Sequence, residues 1–143
     1  MPLLLEIVTP ERLAYSDTVD AVVLPGSEGE LGVLPHHAPL VSMLGVGELR
    51  VRKDGTEESF AIIGGFLQVR PDKVVVMAET ADMASEIDLG TAQEARKEAE
   101  RMLAEGGYDE GVDLTMARAA LQQALLRVRV AERRHREGPR HRG

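Results

Sequence analysis

The 143-residue chain carries a formal net charge of −7 and no cysteine, which excludes a disulfide framework, a thiolate metal site and a cysteine nucleophile. Tyr15, Phe60, Phe66 and Tyr108 are its only aromatics, so its core must be aliphatic, and a 43% hydrophobic, 29% charged composition excludes disorder throughout. Met1 to Glu6 lacks a basic run and meets an acid after three leucines, so neither a signal peptide nor an anchor is expected, and no stretch reaches the ~20 apolar residues of a membrane span.

Up to Ala78 the chain reads as short strands separated by turn signals. Leu3–Val8 stops at Thr9-Pro10, Val19–Leu24 at Pro25-Gly26, and Gly29–Leu34 at Pro35. Leu40–Leu44 ends at Gly45, and Gly47–Arg52 alternates cleanly before Asp54-Gly55, a pair that accepts the positive φ of a tight hairpin. Ser59–Ile63, Phe66–Arg70 and Lys73–Ala78 complete the series, with Gly64-Gly65 marking a bulge or corner. About nine to ten short strands without intervening helices predict an antiparallel β-sandwich or flattened barrel over residues 1–84.

The periodicity changes near Asp82. Asp88 is a candidate N-cap, and Ala92, Ala95, Ala99, Met102 and Leu103 then recur at helical spacing. Gly106–Gly111 breaks this helix and Asp113 caps the next, whose apolar face reads Leu114, Ala117, Leu121, Ala124, Leu125, Val128 and Ala131. The fold class is therefore α+β: a β-sandwich followed by an antiparallel two-helix hairpin over 85–137, with a basic tail at 138–143 expected to lack fixed structure. Alanine stripes bury little area per residue, so the hairpin is expected to dock weakly on the sandwich and to be able to move.

Charge divides the chain. Residues 1–87 carry −8, residues 88–112 carry −4, and residues 113–143 carry +5. At 100° per residue, Arg118, Gln122, Arg129, Arg133 and Arg136 share one side of the second helix, with Arg127 and Arg134 near the opposite side. A basic stripe beside an apolar face suits an acidic partner. Nucleic acid is disfavoured by the acidic remainder and the lack of stacking aromatics, and membrane insertion by an alanine-dominated face without Trp or Phe. An acidic protein surface is the reading that is left.

Catalytic chemistry is not legible. Gly26-Ser27-Glu28-Gly29-Glu30-Leu31-Gly32 lacks the Gly-Lys-Ser/Thr of a phosphate loop, and its two carboxylates would repel phosphate. It reads locally as strand–turn–strand with glycines at positive φ. His36 and His37 point to opposite faces of an extended chain and are not expected to share a metal, and no serine sits in a nucleophile elbow. Glu57-Glu58 reads as part of a solvated face.

The run Gly26–Leu40, with Leu31-Gly32-Val33-Leu34-Pro35-His36-His37-Ala38-Pro39 at its centre, closely resembles the signature of bacterial F-type ATP synthase epsilon subunits. Phe60–Val69 and Val76–Ala81 resemble two further blocks of that family. The resemblance covers about residues 1–135 and implies a non-catalytic central-stalk subunit, peripheral on the cytoplasmic face of the bacterial plasma membrane. It implies that Glu28, Gly29 and Glu30 face the c-ring, and that Thr9, His37, Leu40, Val41 and Ser42 face the gamma subunit. It further implies that the hairpin switches between folded and extended positions, and that Arg118, Arg127, Arg129 and Arg133 then approach a catalytic beta subunit to restrain ATP hydrolysis. Some members hold a regulatory ATP, which would engage Asp82, Ile87, Asp88, Ala92, Arg118 and Arg127 here. The motif arginine is replaced by Thr91, which removes the fork best suited to phosphate. No other cofactor and no metal are implied. A stand-alone protein-binding adaptor, built from the same two parts, is the other reading.

Overall fold

A computed structural model describes residues 3–105 and 114–137, with side chains described up to Arg134. The elements are β1 (Leu3–Val8), β2 (Leu13–Val19), β3 (Ala21–Gly26), β4 (Gly29–Val33), β5 (Leu40–Met43), β6 (Val46–Lys53), β7 (Thr56–Val69), β8 (Lys73–Met83), a 3-10 turn at Ala84–Glu86, α1 (Leu89–Glu105) and α2 (Leu114–Glu137). The expected break at Gly106–Gly111, the cap Asp113 and the tail at 138–143 lie outside the described residues.

The strands pair in the order β2-β1-β8-β7-β6-β3-β4, with β5 also on β7. Alternation sets the core. Leu3, Leu5 and Ile7 of β1 point inward and meet Leu24, Leu49, Phe60, Ile62, Leu67, Val74 and Val76, all fully buried. Tyr15 packs edge-on to Phe60 with ring centroids 5.4 Å apart, so two of the few aromatics fill one corner. The Asp54-Gly55 turn forms as expected, with both residues at positive φ (51° and 78°) and Lys53 paired to Thr56.

Three sequence expectations are corrected. The described residues contain eight strands rather than nine or ten, and Ser59–Ile63 and Phe66–Val69 are one 14-residue strand. A polar strand, Leu13–Val19, went unread because one side of it is open to solvent. The sandwich is also not wholly antiparallel: β1 runs parallel to β8, with Leu4 opposite Lys73 and Val8 opposite Met77.

β7 is the organising element. Its first half, Thr56–Ile63, pairs with β6, and its second half, Phe66–Val69, pairs with β5, while β8 follows it across both. Inward residues are Phe60 and Ile62 before the centre but Leu67 and Val69 after it, so the alternation changes phase. β8 changes phase opposite, from Val74, Val76 and Ala78 to Ala81. Gly64 (φ 63°) and Gly65 (φ 112°) make that change possible, and Gly65 has no room for a side chain: a Cβ there would lie 1.9 Å from the Met77 carbonyl oxygen.

The hairpin forms a third layer. Asp88 caps α1 as expected, accepting a 3.1 Å hydrogen bond from the Thr91 N–H. α2 is buried on two roughly opposite sides at 100° per residue. Ala117, Ala124, Val128 and Ala131 form the seam on the side toward α1, whereas Leu126 and Val130 pack on Ala61, Ile63 and Ala84 of the sandwich. The single apolar face expected from sequence therefore needs amending, since Leu114 and Leu125 are exposed.

Candidate functional site

Three surfaces carry the residues singled out by sequence. The first is the turn between β3 and β4. Gly26 pairs with Gly29 across Ser27-Glu28, with Gly29 at φ 132°, so the glycine-rich run is the strand–turn–strand read from sequence. Glu28 and Glu30 are both exposed, but Arg50 lies 3.4 Å from Glu30, leaving Glu28 as the uncommitted acid. The turn is tied to β5 by backbone hydrogen bonds: the Ser27 N–H donates to the Met43 carbonyl (3.1 Å) and the Gly45 N–H to the Pro25 carbonyl (2.8 Å).

The second surface begins at Met43 and was not legible from sequence. Met43 pairs with Phe66, Phe66 with Met77, Met77 with Val8, and Val8 with Leu13 across a bulge. Paired residues of a sheet share a face, so these five apolar side chains make one row across five strands. Met43 is 57% exposed, Phe66 50%, Met77 47% and Leu13 55%, and Val41 beside the row is 70% exposed. Val8 is half-buried between them, and exposed apolar patches are a feature of protein interaction surfaces.

Of the sequence-assigned residues on β5, Val41 shares the face of this row, whereas Leu40 and Ser42 alternate to the other face, opposite the inward Val69 and Leu67. Thr9 directly follows Val8 and makes a local turn with Arg12. His37 stands apart: the neighbouring His36 N–H donates to the Pro71 carbonyl, roughly 20 Å along β8 from Met77 at ~3.3 Å per residue. The His37 Nδ1 lies 2.7 Å from the Ala38 carbonyl oxygen.

The third surface is the hairpin and its seat. Arg127 pairs with Asp82 (3.2 Å), Arg133 bridges Glu48 and Glu57, and Arg134 approaches Glu58 at 3.7 Å. Glu57 and Glu58 are therefore not the solvated face expected of them. Arg118 and Arg129 are exposed and without an ion pair among the described residues, Arg129 lining a cavity beside Glu48 and Glu30. The four arginines grouped by sequence thus divide into two that hold the sandwich and two that are left exposed.

A cavity of about 360 Å³ opens where β8, the 3-10 turn, α1 and α2 meet. Asp82, Ile87, Asp88, Ala92 and Arg127 of the six sequence-assigned nucleotide residues line it, together with Glu86, Thr91 and Ala95, but Arg118 does not. Three carboxylates face one guanidinium that is already paired with Asp82, so the field opposes a polyphosphate. Among the described residues no cluster of three His, Cys, Asp or Glu has metal-binding geometry. Among them, too, no helix is long and apolar enough to cross a membrane.

Comparison with known proteins agrees with this architecture. The family model for the ATP synthase delta/epsilon chain β-sandwich domain matches residues 2–84, and that for the long α-helix domain matches residues 85–132. An ATP synthase epsilon chain of Syntrophobacter fumaroxidans is 52% identical over 129 residues, covering 90% of this chain and 95% of the relative. Another from Dehalococcoides mccartyi is 51% identical over 131 residues, covering 91% and 92%. Among solved structures, a chain of the Euglena gracilis mitochondrial ATP synthase assembly that includes the c-ring superposes with TM-score 0.71 at 27% identity, covering 85% of this chain and 76% of that one. With both domains matched in order over most of its length, the chain belongs to the ATP synthase delta/epsilon chain family.

Proposed function

We propose that the chain is the non-catalytic epsilon subunit of a rotary ATP synthase, joining the gamma stalk to the c-ring from the cytoplasmic face of a bacterial plasma membrane. The observation that carries this reading is the exposed row Met43–Phe66–Met77–Val8–Leu13, a surface that calls for a permanent protein neighbour. Gamma is the partner assigned to the row, with the exposed Val41 extending the contact and Leu40 and Ser42 flanking it on the same strand. The c-ring is assigned to the acidic turn next to it, with Glu28 as the free charge toward basic and polar loops.

Backbone hydrogen bonds from Ser27 to Met43 and from Gly45 to Pro25 join the two contacts. Torque entering at the turn therefore reaches the gamma contact without crossing a soft side-chain joint. Phe66→Glu tests the assignment: it places a charge at the centre of the row but leaves the core untouched. Co-purification of the tagged chain with gamma and the catalytic alpha and beta subunits should be lost while the isolated protein melts within a few degrees of wild type. Retention of gamma at wild-type yield would overturn the assignment.

The hairpin is read as a conformational inhibitor of ATP hydrolysis, supported by the exposed basic flank of Arg118 and Arg129 and by apolar docking through Leu126 and Val130 of α2. The assembled complex lacking residues 88–143 should hydrolyse ATP faster than the complete one, and equal rates would refute the inhibitory role. A regulatory ATP would have to occupy the cavity beside Asp88. With two carboxylates in excess there, we expect no saturable ATP binding at millimolar concentration.

A further inference from the structure

We propose that the sandwich carries a charge-selective seat for a basic amphipathic helix, and that α2 is held in it by an electrostatic latch whose strength is set by ionic strength. This deepens the reading of the hairpin as a movable element and rests on it. The floor of the seat is small and apolar: Ala61, Ile63 and Ala84 receive only Leu126 and Val130. Its rim is acidic, with Glu48 on β6, Glu57 and Glu58 on β7 and Asp82 on β8. Each of these acids faces an α2 arginine, Asp82 with Arg127, Glu48 and Glu57 with Arg133, and Glu58 with Arg134.

The acids outnumber the arginines that pair with them. Four carboxylates meet three guanidiniums, so departure of α2 takes away their paired cations, leaving Arg52, opposite Glu57 on β6, as the neighbouring base, and its return restores them. The seat also has spare acceptor capacity. The Glu48 side chain is only 10% exposed, and its Oε2 is buried without a hydrogen bond. Arg129, unpaired, lines the same cavity of about 370 Å³ as Glu48 and Glu30. The seat therefore recognises charge more than apolar shape. Because the pairs are only partly buried, salt can weaken them: the Debye length falls from ~30 Å at 0.01 M to ~3 Å at 1 M.

The latch also decides which arginines a second acidic surface can use. In the seated helix Arg127, Arg133 and Arg134 are committed, and of the α2 arginines whose side chains are described Arg118 and Arg129 are left exposed and unpaired. Release frees the committed three at once. A partner that needs all of them competes directly with Asp82, Glu48, Glu57 and Glu58.

The chain has no native cysteine, so Asp72→Cys on the sandwich and Gln122→Cys on α2, both exposed positions, accept spin labels without background. Double electron–electron resonance should show one narrow docked distance at 0.01 M salt, with the released population at least threefold larger at 1 M. Glu48→Gln with Glu57→Gln should raise the released population about tenfold at low salt, the scale of one lost charge-assisted contact, and should flatten its salt dependence. Val130→Ala should increase release at every salt concentration while keeping the salt slope, which separates the latch from simple packing. Arg134→Glu should release the helix and Glu58→Arg added to it should restore docking. A distance distribution indifferent to 1 M salt and to the Glu48/Glu57 pair, or a charge swap that fails to restore docking, would overturn the latch. Hydrolysis by the assembled complex reports separately: charge variants that release the helix without changing hydrolysis would leave the latch standing and refute the inhibitory role.

Discussion

Replacing Gly65 by alanine is the most demanding test of how the two halves of the sandwich are joined. Gly65 sits at φ 112°, and a Cβ built there falls 1.9 Å from the Met77 carbonyl oxygen and 2.9 Å from the Ala78 Cα, all of it backbone that cannot rotate away. The unfavourable dihedral costs about 1–3 kcal/mol, and forcing the two strands apart adds about 1–3 kcal/mol as an overpacking term. For a domain of this size each kcal/mol lowers Tm by about 4–8 °C. Gly65→Ala should therefore lower Tm by about 8 °C or more, followed by far-UV circular dichroism. Gly55→Ala provides the control: it has positive φ (78°) but nothing within 4 Å of the added Cβ, so it bears the dihedral strain alone. Melting of Gly65→Ala within a few degrees of Gly55→Ala would refute the claim that close strand approach fixes this corner.

Two further outcomes follow from the electrostatics. The Lys53 ammonium, 2.5 Å from Asp17, and then the Thr18 backbone N–H hold the Asp17 carboxyl below its ordinary value of 3.8, while the Asp17 hydrogen bond raises Lys53 above 10.5. A lowered acid stabilises the fold above its ordinary pKa and loses that contribution as pH falls through the folded value. A raised lysine stabilises below its ordinary pKa and loses that contribution as pH rises through the folded value. The Tm difference between wild type and Asp17→Asn should thus be level through neutral pH and close at both extremes; a difference that persists in acid would contradict the pairing. In the cavity beside Asp88, titration calorimetry with ATP should give no saturable heat at millimolar concentration, whereas Thr91→Arg with Glu86→Gln should strengthen binding by replacing negative with positive field. Tight binding to the wild-type chain would show that the carboxylates do not set the affinity.

Much of the fold was legible because local signals agreed with one another. Asp54-Gly55 named its turn and Asp88 its cap, and the change from period two to helical spacing after Asp82 separated sandwich from hairpin. Failures arose where the decisive information is long-range. Gly64-Gly65 looked like a break between strands because the apolar phase changes there, yet the backbone ladder continues through it. The row from Met43 to Leu13 is assembled by register between five strands, and no single segment displays it. Glu57 and Glu58 looked like ordinary solvated acids because their partners lie about 75 positions later on α2. Leu125 was placed in the apolar face because a single stripe was assumed, whereas α2 is the middle layer and is buried on two sides.

The length of β7 has a mechanical consequence. In a sandwich whose sheets touch only through side chains, one sheet can slide over the other by small rotamer adjustments. Here β7 and β8 pass together from one half to the other, so sliding would have to stretch a ladder that runs from Phe60–Met83 to Val69–Val74. The two halves behave as one folded plate with a reinforced crease. The helix seat on Ala61 and Ile63 and the apolar row at Phe66 are two ends of the same plate, three residues apart on one strand. A load on the row is thus felt at the seat as strain in a shared backbone.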